Sequence, residues 1–500
     1  MRKSKRKPQL FVIGIDGASW GILNKFLDKL PVFKQLIAEG YASNLTSTIP
    51  PVTCPAWKSF STGLDPEKLR VFWWAHVNFD HGRLKFFNSR SFKFDEVWDY
   101  LYRGGYSSLI INLPLTFPPK KVYKAIISGF PASNGDMFTF PSYLKGELVN
   151  RFNYKVNPEN HVLLSKEGFL REVYSLIDSR FIILNHMLEK EDFDFINVVL
   201  FYTDDIQHYF WYNDAAILKA YQIIDRNLGD ILEKYPDSNL LILSDHGFEE
   251  TIDVFFVNDY FMRRGYLSVE RKPSVISQSL YSVGKKILTP LMGRVFSSLT
   301  REQQIRLKRM FFYEDEYSLD KIVRISESLV IGLKQGPVFI NKAKLKREGI
   351  SYDQFLQDLL DELRSIRHPI YKKGLVKDFY FPRVKENYAP DFIIIPNEGF
   401  DVDSEIVSES VLWRSQLTRV KQPCWLAHHN PIGVFIAYGG DIVELVEAEF
   451  KEELHIWDVA SLILKLYGIS LKKSLREKQA ILNLKQRLLK LYANKSSLDY

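Results

Sequence analysis

Short, largely apolar runs recur along this chain and end at Gly, Pro, Asp or Ser. They cover residues 10–15, 109–113, 195–201, 240–243 and 434–437. Runs of this length and composition are typical of strands that are buried on both faces of a sheet. The pattern therefore predicts a central sheet whose strands lie far apart in sequence.

Helical spacing of apolar residues fills much of the chain between these runs. It extends over residues 20–39, where it stops at Gly40, and over 96–103, 171–188 and 215–234. Strands that alternate with helices predict an α/β fold, with a mostly parallel sheet and helices on both faces. In such folds ligands bind beyond the carboxyl ends of the strands.

One long stretch, residues 254–423, has a different pattern. It contains a basic segment of helical spacing, 274–312, followed by strand-like runs at 336–340 and 392–395. We interpret this stretch as an inserted α+β cap subdomain. The predicted organisation is a core from two pieces, 1–253 and 424–470, with the cap at 254–423 and a helical tail at 471–500.

Composition and charge narrow the functional classes only slightly. The chain has 500 residues, of which 46% are hydrophobic, and a formal net charge of +7. This charge suits an anionic substrate and does not call for specific nucleic-acid binding. Two cysteines, Cys54 and Cys424, provide no disulfide framework.

The N-terminus and the lengths of the apolar runs indicate where in the cell the protein is expected. The basic N-terminus precedes only the short run 10–15, which is too brief for a signal peptide. No run approaches the roughly 18 apolar residues of a membrane span. We expect a cytoplasmic protein without a transmembrane segment. Peripheral membrane contact through the basic segment is kept as an alternative to a merely solvated face.

Residues with metal-binding or nucleophilic side chains follow or flank the predicted strands. Carboxylates and imidazoles are ligands of Zn²⁺ and related ions, and a threonine hydroxyl needs a base or a metal to become a nucleophile. The candidates are Asp16, Thr53, Asp204, His208, Asp245, His246 and His429. Their joint occurrence at strand ends predicts a metal site.

Each candidate also has a simpler explanation when taken alone. Asp16, which precedes Gly17, could be a turn residue. Thr53 could cap the helix that begins near Pro55, and Asp204 could cap the next predicted helix. His208 could lie on the surface, although its four-residue offset from Asp204 places both on one helix face.

Several longer segments resemble one family. They are residues 50–57 (Pro-Pro-Val-Thr-Cys-Pro-Ala-Trp), 112–119, 206–211 and 389–391. Together they are similar to the type I phosphodiesterase/nucleotide pyrophosphatase family of the alkaline phosphatase superfamily, and most of all to its archaeal-type members. The resemblance covers most of the chain and implies an alkaline-phosphatase-like fold.

The resemblance also implies a ligand set and a mechanism. Two divalent metal ions are expected, with zinc as the first choice and manganese or iron as alternatives. One ion would bind Asp16, Asp245, His246 and the Thr53 hydroxyl, and the other would bind Asp204, His208 and His429. Thr53 would attack phosphorus and form a phosphoryl-threonine intermediate, as in a phosphodiesterase or nucleotide pyrophosphatase.

Two choices rest on the family pattern. Asp204, and not Asp205, has the family's four-residue offset to a histidine. His429, and not His428, begins the pattern His-x-Pro-x-Gly. His428 is then expected to support the site or to lie in the core.

The sequence departs from the family pattern at three places. Leu69-Arg70 stand where His-Gly is common, Trp74 replaces an asparagine that helps to bind phosphate, and Ala427 replaces a glycine. The aromatic run 72–74 could stack on a base, cover an apolar leaving group or simply pack. The substrate is expected to be a small phosphoester, with nucleotides among the candidates. A phosphomonoesterase, a phosphoryl transferase, and a non-enzymatic homologue that binds a phosphorylated ligand remain as alternatives.

Overall fold

The computed structural model describes residues 10–122, 124–158, 166–270, 319–384, 388–406, 426–449 and 453–470. The predicted basic segment 274–312, the predicted tail 471–500 and Cys424 lie outside these ranges. No helix within the described ranges is long and apolar enough to cross a membrane.

The strands are short, as the apolar runs predict. In chain order they are β1 (Leu10–Ile15), β2 (Tyr41–Thr46), β3 (Ala75–Asn78), β4 (Arg83–Phe86), β5 (Ser108–Ile111), β6 (Lys124–Ile127), β7 (Thr139–Phe140), β8 (Phe195–Leu200), β9 (Asn239–Leu243), β10 (Gly247–Glu250), β11 (Asp253–Phe256), β12 (Val330–Gly332), β13 (Pro337–Ile340), β14 (Val376–Tyr380), β15 (Phe392–Pro396), β16 (Phe400–Asp403), β17 (Ala427–Asn430), β18 (Ile432–Tyr438) and β19 (Leu454–His455).

The helices lie mostly between strands of the main sheet. In chain order they are α1 (Trp20–Phe26), α2 (Pro31–Glu39), α3 (Thr53–Thr62), α4 (Pro66–Leu69), α5 (Val97–Arg103), α6 (Leu144–Phe152), α7 (Lys166–Lys190), α8 (Thr203–Phe210), α9 (Asp214–Lys234), α10 (Val257–Arg263), α11 (Leu319–Ile322), α12 (Lys342–Arg347), α13 (Tyr352–Ser365), α14 (Gly440–Glu449) and α15 (Asp458–Leu466).

Nine strands of the described ranges form the main sheet, in the order β19-β2-β18-β9-β1-β8-β5-β6-β7. The central strands β9, β1, β8, β5 and β6 are parallel to one another. β18 runs antiparallel to both β2 and β9, and β7 runs antiparallel to β6. The mostly parallel α/β sheet that the sequence predicts is confirmed.

Alternate residues of β1 show why its run is apolar throughout. Phe11, Ile13 and Ile15 pack into one core with α1, α2, α7 and α9. Leu10 and Val12 point to the opposite face and pack into a second core with α3, α5, α14 and α15. Helices therefore cover both faces of the sheet, and a strand buried on both sides needs apolar side chains at every position.

The sequence prediction differs from the structure in two elements of this layer. The stretch 20–39 forms two helices because Pro31 begins the second one, and proline is favoured at the first position of a helix. The run 434–437 is a strand as predicted, but it enters the sheet antiparallel to its neighbours β2 and β9.

The insertion builds a smaller antiparallel sheet of its own, in the order β12-β13-β15-β14. Its apolar side chains share a core with residues from an earlier segment, among them Val52, Leu64, Val71 and Trp73. The insertion therefore packs on the segment that follows Thr53. The domain boundaries at 253/254 and 423/424 stay a prediction.

Candidate metal centre

Three adjacent strands of the main sheet deliver most of the candidate residues. Asp16 directly follows β1, and Asp245 and His246 follow β9 before β10 begins. Asp204 lies in the first turn of α8, shortly after β8. Because β9, β1 and β8 are parallel neighbours, their carboxyl ends bring these side chains to one edge of the sheet.

The first cluster surrounds Nε2 of His246. Asp245 Oδ2 lies 3.2 Å from this nitrogen, Thr53 Oγ1 lies at 3.3 Å and Asp16 Oδ1 at 3.6 Å. Asp204 Oδ1 is 4.0 Å away. Four oxygen atoms from four separate segments thus converge on one imidazole nitrogen.

The second cluster adjoins the first. His429 Nε2 lies 3.1 Å from His208 Nε2 and 3.1 Å from Asp204 Oδ1, and His208 Nε2 lies 3.3 Å from Asp204 Oδ2. The rings of His246 and His429 are stacked, with centroids 3.6 Å apart. Donor atoms of Asp204, His246 and His429 also fall within 4.8 Å of one another, so the two clusters share a border.

Backbone carbonyl groups fix the orientation of all three imidazoles. His208 Nδ1 lies 2.8 Å from the carbonyl oxygen of Ala427, and His429 Nδ1 lies 2.8 Å from that of Pro51. His246 Nδ1 is 3.2 Å from the carbonyl oxygen of the next residue. A carbonyl only accepts hydrogen bonds, so each Nδ1 donates and each Nε2 can present a lone pair to the clusters. Metal-binding histidines are commonly oriented in this way.

Two carboxylate oxygens of the first cluster are buried and have no hydrogen-bond partner among the described residues. They are Asp16 Oδ1 and Asp245 Oδ2. The other oxygen of each group is satisfied, because Asp16 Oδ2 accepts the Trp57 indole N–H at 3.0 Å and Asp245 Oδ1 accepts the Gly17 N–H at 3.1 Å. Buried carboxylate oxygens without partners are costly, and a bound cation would satisfy both.

Burial also shifts the pKa values of the titratable groups in the first cluster. Burial raises the pKa of Asp16 well above its usual range, and the nearby carboxylates of Asp245 and Asp204 raise it further. Burial also raises the pKa of Asp245 to about 7. Burial lowers the pKa of His246 well below its usual range, and the neighbouring His429 acts in the same direction. The neighbouring His429 opposes the rise at Asp245 only in part, so among the described residues this cluster carries excess negative charge.

The second cluster is electrostatically different. Burial alone would raise the pKa of Asp204, but the adjacent His208 and His429 hold it well below its usual range. Burial alone would lower the pKa of His429, but hydrogen bonding and attraction to Asp204 raise it. In the protein without an ion, a charged imidazole can therefore balance Asp204.

The donor set fits divalent metal ions. Imidazole nitrogens, carboxylate oxygens and one hydroxyl lie close together, and mixed nitrogen and oxygen donors suit zinc and its neighbours in the first transition row. Asp16, Asp245, His246 and Thr53 are available for one ion. Asp204, His208 and His429 are available for a second.

The position of Thr53 contradicts its simpler explanation as a helix cap. Thr53 is the first residue of α3, the cap position is Val52, and no side-chain hydrogen bond caps this helix. The Thr53 hydroxyl instead faces His246 and is buried, with 5% exposure. The structure thus places the predicted nucleophile inside the first cluster.

The two local choices made from the family pattern agree with the geometry. Asp205 belongs to neither cluster, whereas Asp204 borders both. His428 points away, with Nε2 3.0 Å from Glu249 Oε1 and Nδ1 3.0 Å from the Thr251 hydroxyl. His429 lies in strand β17, which pairs with β10.

Sequence reasoning missed the residues that hold the ligands in place. Trp57 donates to Asp16, and it lies one helical turn after Thr53 on α3. Gln207 donates to the carbonyl of Gly17 at 3.0 Å and so ties α8 to the end of β1. The four-residue spacing of Thr53 and Trp57 was available as a signal for the first contact. No local sequence pattern predicts the second contact, that of Gln207 with Gly17.

The aromatic run 72–74 includes one departure from the family pattern, Trp74. Phe72 and Trp73 are buried in hydrophobic cores, which confirms packing for these two. Trp74 is partly exposed and packs edge-to-face on Phe130, with centroids 4.7 Å apart. Phe130 is in turn stacked parallel to Phe201 at 6.1 Å.

Another departure, Leu69-Arg70, lies at the core that the insertion shares with the segment after Thr53. Leu69 is buried there. Arg70 is exposed, has a left-handed backbone conformation with φ of 59°, and donates to the Tyr388 hydroxyl at 2.8 Å.

Solved structures with the same fold are remote in sequence. Murine ectonucleotide pyrophosphatase/phosphodiesterase 5, solved as an inactive variant with AMP, is 13% identical with a TM-score of 0.51, over 93% of this chain and 96% of that one. Phosphonoacetate hydrolase from Sinorhizobium meliloti, with phosphonoacetate, is 12% identical with a TM-score of 0.56 over the same shares. The alkaline phosphatase PafA is 14% identical with a TM-score of 0.53, over 94% and 97%.

These similarities show an alkaline-phosphatase-like fold. No curated protein sequence matches the chain significantly. A family model, however, matches residues 10–410, which is most of the chain and includes every candidate residue except His429. The chain belongs to the type I phosphodiesterase/nucleotide pyrophosphatase family.

Proposed function

We propose that this protein is a two-metal phosphodiesterase that acts through a phosphoryl-threonine intermediate. The observation that carries the proposal is the convergence of Thr53, Asp16, Asp204 and Asp245 on Nε2 of His246, with two buried carboxylate oxygens left without partners. Family membership and the fold support phosphoester hydrolysis in general.

The bound ions would supply positive charge that lowers the pKa of the Thr53 hydroxyl and stabilises charge on the phosphoryl group. Thr53 Oγ1 forms a bond to phosphorus as the bond to the leaving oxygen breaks. The hydroxyl proton passes to solvent, and the leaving alkoxide takes a proton from solvent. Water then cleaves the phosphoryl-threonine and regenerates the hydroxyl.

The surrounding residues position the reacting groups. α3 carries Thr53 at its first turn, where unpaired backbone N–H groups favour an anion. Trp57 fixes Asp16 from the same helix. Burial of the clusters strengthens their electrostatic interactions with a bound phosphoryl group.

The substrate class is drawn from the family and from what its structural neighbours hold. The murine neighbour was solved with AMP, so nucleotide diesters are the first substrates to test. Trp74, with Phe130 and Phe201, places aromatic rings near the end of β8, which favours a planar or apolar group on the substrate. A cytoplasmic location remains a prediction.

A phosphomonoesterase or a phosphoryl transferase on the same core is the second candidate. The alkaline phosphatase PafA has this fold, which is the observation that favours it. A homologue that only binds a phosphorylated ligand is disfavoured, because the seven candidate residues are present and converge.

The test combines metal analysis with an activity screen. Purified protein should contain close to two equivalents of zinc, manganese or iron, and should hydrolyse bis(4-nitrophenyl) phosphate faster than 4-nitrophenyl phosphate. Added acceptor alcohols reveal transfer through new phosphorylated products. Metal-free protein that cannot be reconstituted, or a preference for the monoester, would overturn the corresponding part of the proposal.

Thr53→Ala tests the covalent route. We expect turnover to fall by at least about a thousandfold, because the nucleophile is lost, while metal content stays at two equivalents. Thr53→Ser keeps a hydroxyl and should retain measurable activity. Full activity of Thr53→Ala would exclude the phosphoryl-threonine intermediate.

A further inference from the structure

A turn of the insertion contacts the second cluster directly. Gln335 lies between β12 and β13, and its side-chain Nε2 is 2.9 Å from Nδ1 of His429. The carbonyl oxygen of Pro51 lies 2.8 Å from the same nitrogen. His429 is thus held from two sides, by the segment that leads to Thr53 and by the insertion.

The backbone of this turn is unusual for glutamine. Gln335 has a φ of 62°, and Gly336 follows with a φ of 106°. The Gln335 N–H donates to the carbonyl of Val402 at 2.7 Å, which fixes the turn on β16. A β-carbon is strained in the left-handed region, and glycine or asparagine is usual there. A glutamine held in this conformation indicates that its longer side chain has a role.

The carboxamide can satisfy the proton that His429 carries on Nδ1. The Pro51 carbonyl oxygen, 2.8 Å from Nδ1, can only accept, so Nδ1 donates and Nε2 is left to face the cluster. The Gln335 amide lies 2.9 Å from the same Nδ1. A half-turn of the amide, whose oxygen and nitrogen are interchangeable in position, offers Oε1 as a second acceptor beside the Pro51 carbonyl. A glutamate at this position could accept the same proton.

We propose that Gln335 is a positioning residue for the second metal ion, acting through His429. The inference rests on the proposed function. It assigns to the insertion a direct part in the metal centre, through a residue that itself binds neither metal nor phosphate. The loss of such an outer hydrogen bond to a metal-binding histidine typically weakens metal affinity by about 10- to 100-fold.

The experiment measures zinc affinity by chelator competition on metal-free protein. Gln335→Met keeps the length of the side chain and removes its hydrogen bonds, and Gln335→Asn suits the left-handed backbone but is too short to reach His429. Both variants should bind the second zinc equivalent about 10- to 100-fold more weakly and the first as wild type does. Gln335→Glu should restore the second equivalent to within a few-fold of wild type.

The matched control is Lys334→Met in the same turn. Lys334 lies 3.6 Å from Asp403 and outside both clusters, so this variant should bind both equivalents as wild type does. Equal weakening by Lys334→Met, or unchanged second-site affinity in Gln335→Met and Gln335→Asn, would overturn the inference. Failure of wild-type protein to bind two equivalents would overturn the proposed function instead.

A kinetic measurement separates positioning from substrate contact. If Gln335 acts through His429, kcat should fall in Gln335→Met at saturating substrate and subsaturating zinc, and added zinc should recover it. A higher KM with unchanged zinc affinity would instead mean that the turn contacts substrate, which overturns the inference.

Discussion

Two regions of this molecule each contain a buried histidine–aspartate contact, and they are built in opposite ways. In the insertion, His368 Nε2 lies 2.7 Å from Asp253 Oδ2, and both side chains are 0% exposed. His368 Nδ1 accepts the backbone N–H groups of Ile370 and Tyr371, at 3.2 and 3.0 Å. Both ring nitrogens are satisfied, as expected of a structural pair.

At the edge of the main sheet, the side chains of His246 and Asp16 are also 0% exposed, but His246 Nε2 lies 3.6 Å from Asp16 Oδ1. Asp16 Oδ1 has no hydrogen-bond partner among the described residues, and the same is true of Asp245 Oδ2. The residue types are the same in both regions, so residue type alone does not identify a metal centre. The distinguishing feature is that buried carboxylate oxygens without partners lie together with imidazole nitrogens from other segments.

Substituting each of the two histidines by glutamine gives the largest expected effects. His246→Gln should weaken binding of the first metal by at least about a hundredfold and leave the free energy of unfolding of metal-free protein unchanged or higher, since it relieves an unsatisfied site. His368→Gln should lower that free energy by about 2–4 kcal/mol, because it leaves Asp253 buried without its partner, and should spare metal affinity.

Urea unfolding and zinc titration of both variants check this pair. The assignment of a metal-binding role to His246 would be wrong if His246→Gln destabilised metal-free protein as much as His368→Gln does. The assignment of a structural role to His368 would be wrong if His368→Gln released metal from protein that remains folded.

Two buried tryptophans extend the comparison to side chains that do not themselves bind metal. Trp57→Phe removes the N–H that orients Asp16, so the affinity for the first metal should fall by about 10- to 100-fold. Trp98 is also buried, and its N–H has no hydrogen-bond partner among the described residues, which makes Trp98→Phe the matched control. Equal losses of zinc affinity in the two variants would mean that packing, and not the hydrogen bond, holds Asp16.

The unsatisfied cluster should also make the stability of metal-free protein depend on pH. Burial raises the pKa of Asp245 to about 7. The folded protein therefore holds a proton that the unfolded chain releases above about pH 4. The free energy of unfolding should fall as pH rises from about 4 to 7, by roughly 1.4 kcal/mol per pH unit at most for this group.

Urea titrations at several pH values measure this slope. Asp245→Asn should flatten it in part, since Asp16 has a raised pKa as well. Saturating zinc should abolish the slope, because the ion replaces the proton. A metal-free protein whose stability rises over this window would contradict the assignment of excess negative charge to the cluster.

The smallest expected effect concerns the basic segment of the insertion. Charge reversal at Arg306 and Arg309 should raise the KM for anionic diesters by roughly three- to tenfold and spare a small substrate with a neutral leaving group. Both residues lie outside the described ranges, so this remains a prediction from sequence. An equal response of both substrates, or of neither, would show that this segment does not select the substrate.

Much of the fold and of the site follows from local patterns. Apolar runs predicted the central strands, and polar residues at their ends predicted Asp16, Asp204 and Asp245, because parallel strands gather their carboxyl ends at one edge. Contacts between distant segments were not predictable in this way. Gln335 and His429 meet through the packing of the insertion, and the antiparallel entry of β18 depends on pairing with β2 and β9, which periodicity does not encode.

The place of β18 in the sheet has a consequence for biosynthesis. β18 lies between β2 and β9, so Ile432–Tyr438 must leave the ribosome before β2 can join the central strands. Until then the apolar edge of β9 has no neighbour on that side, and sequence-distant pairing of this kind forms slowly. A chain truncated before this strand would carry most of the candidate ligands on an open sheet prone to aggregation, so we expect such a truncation to lower the yield of folded protein.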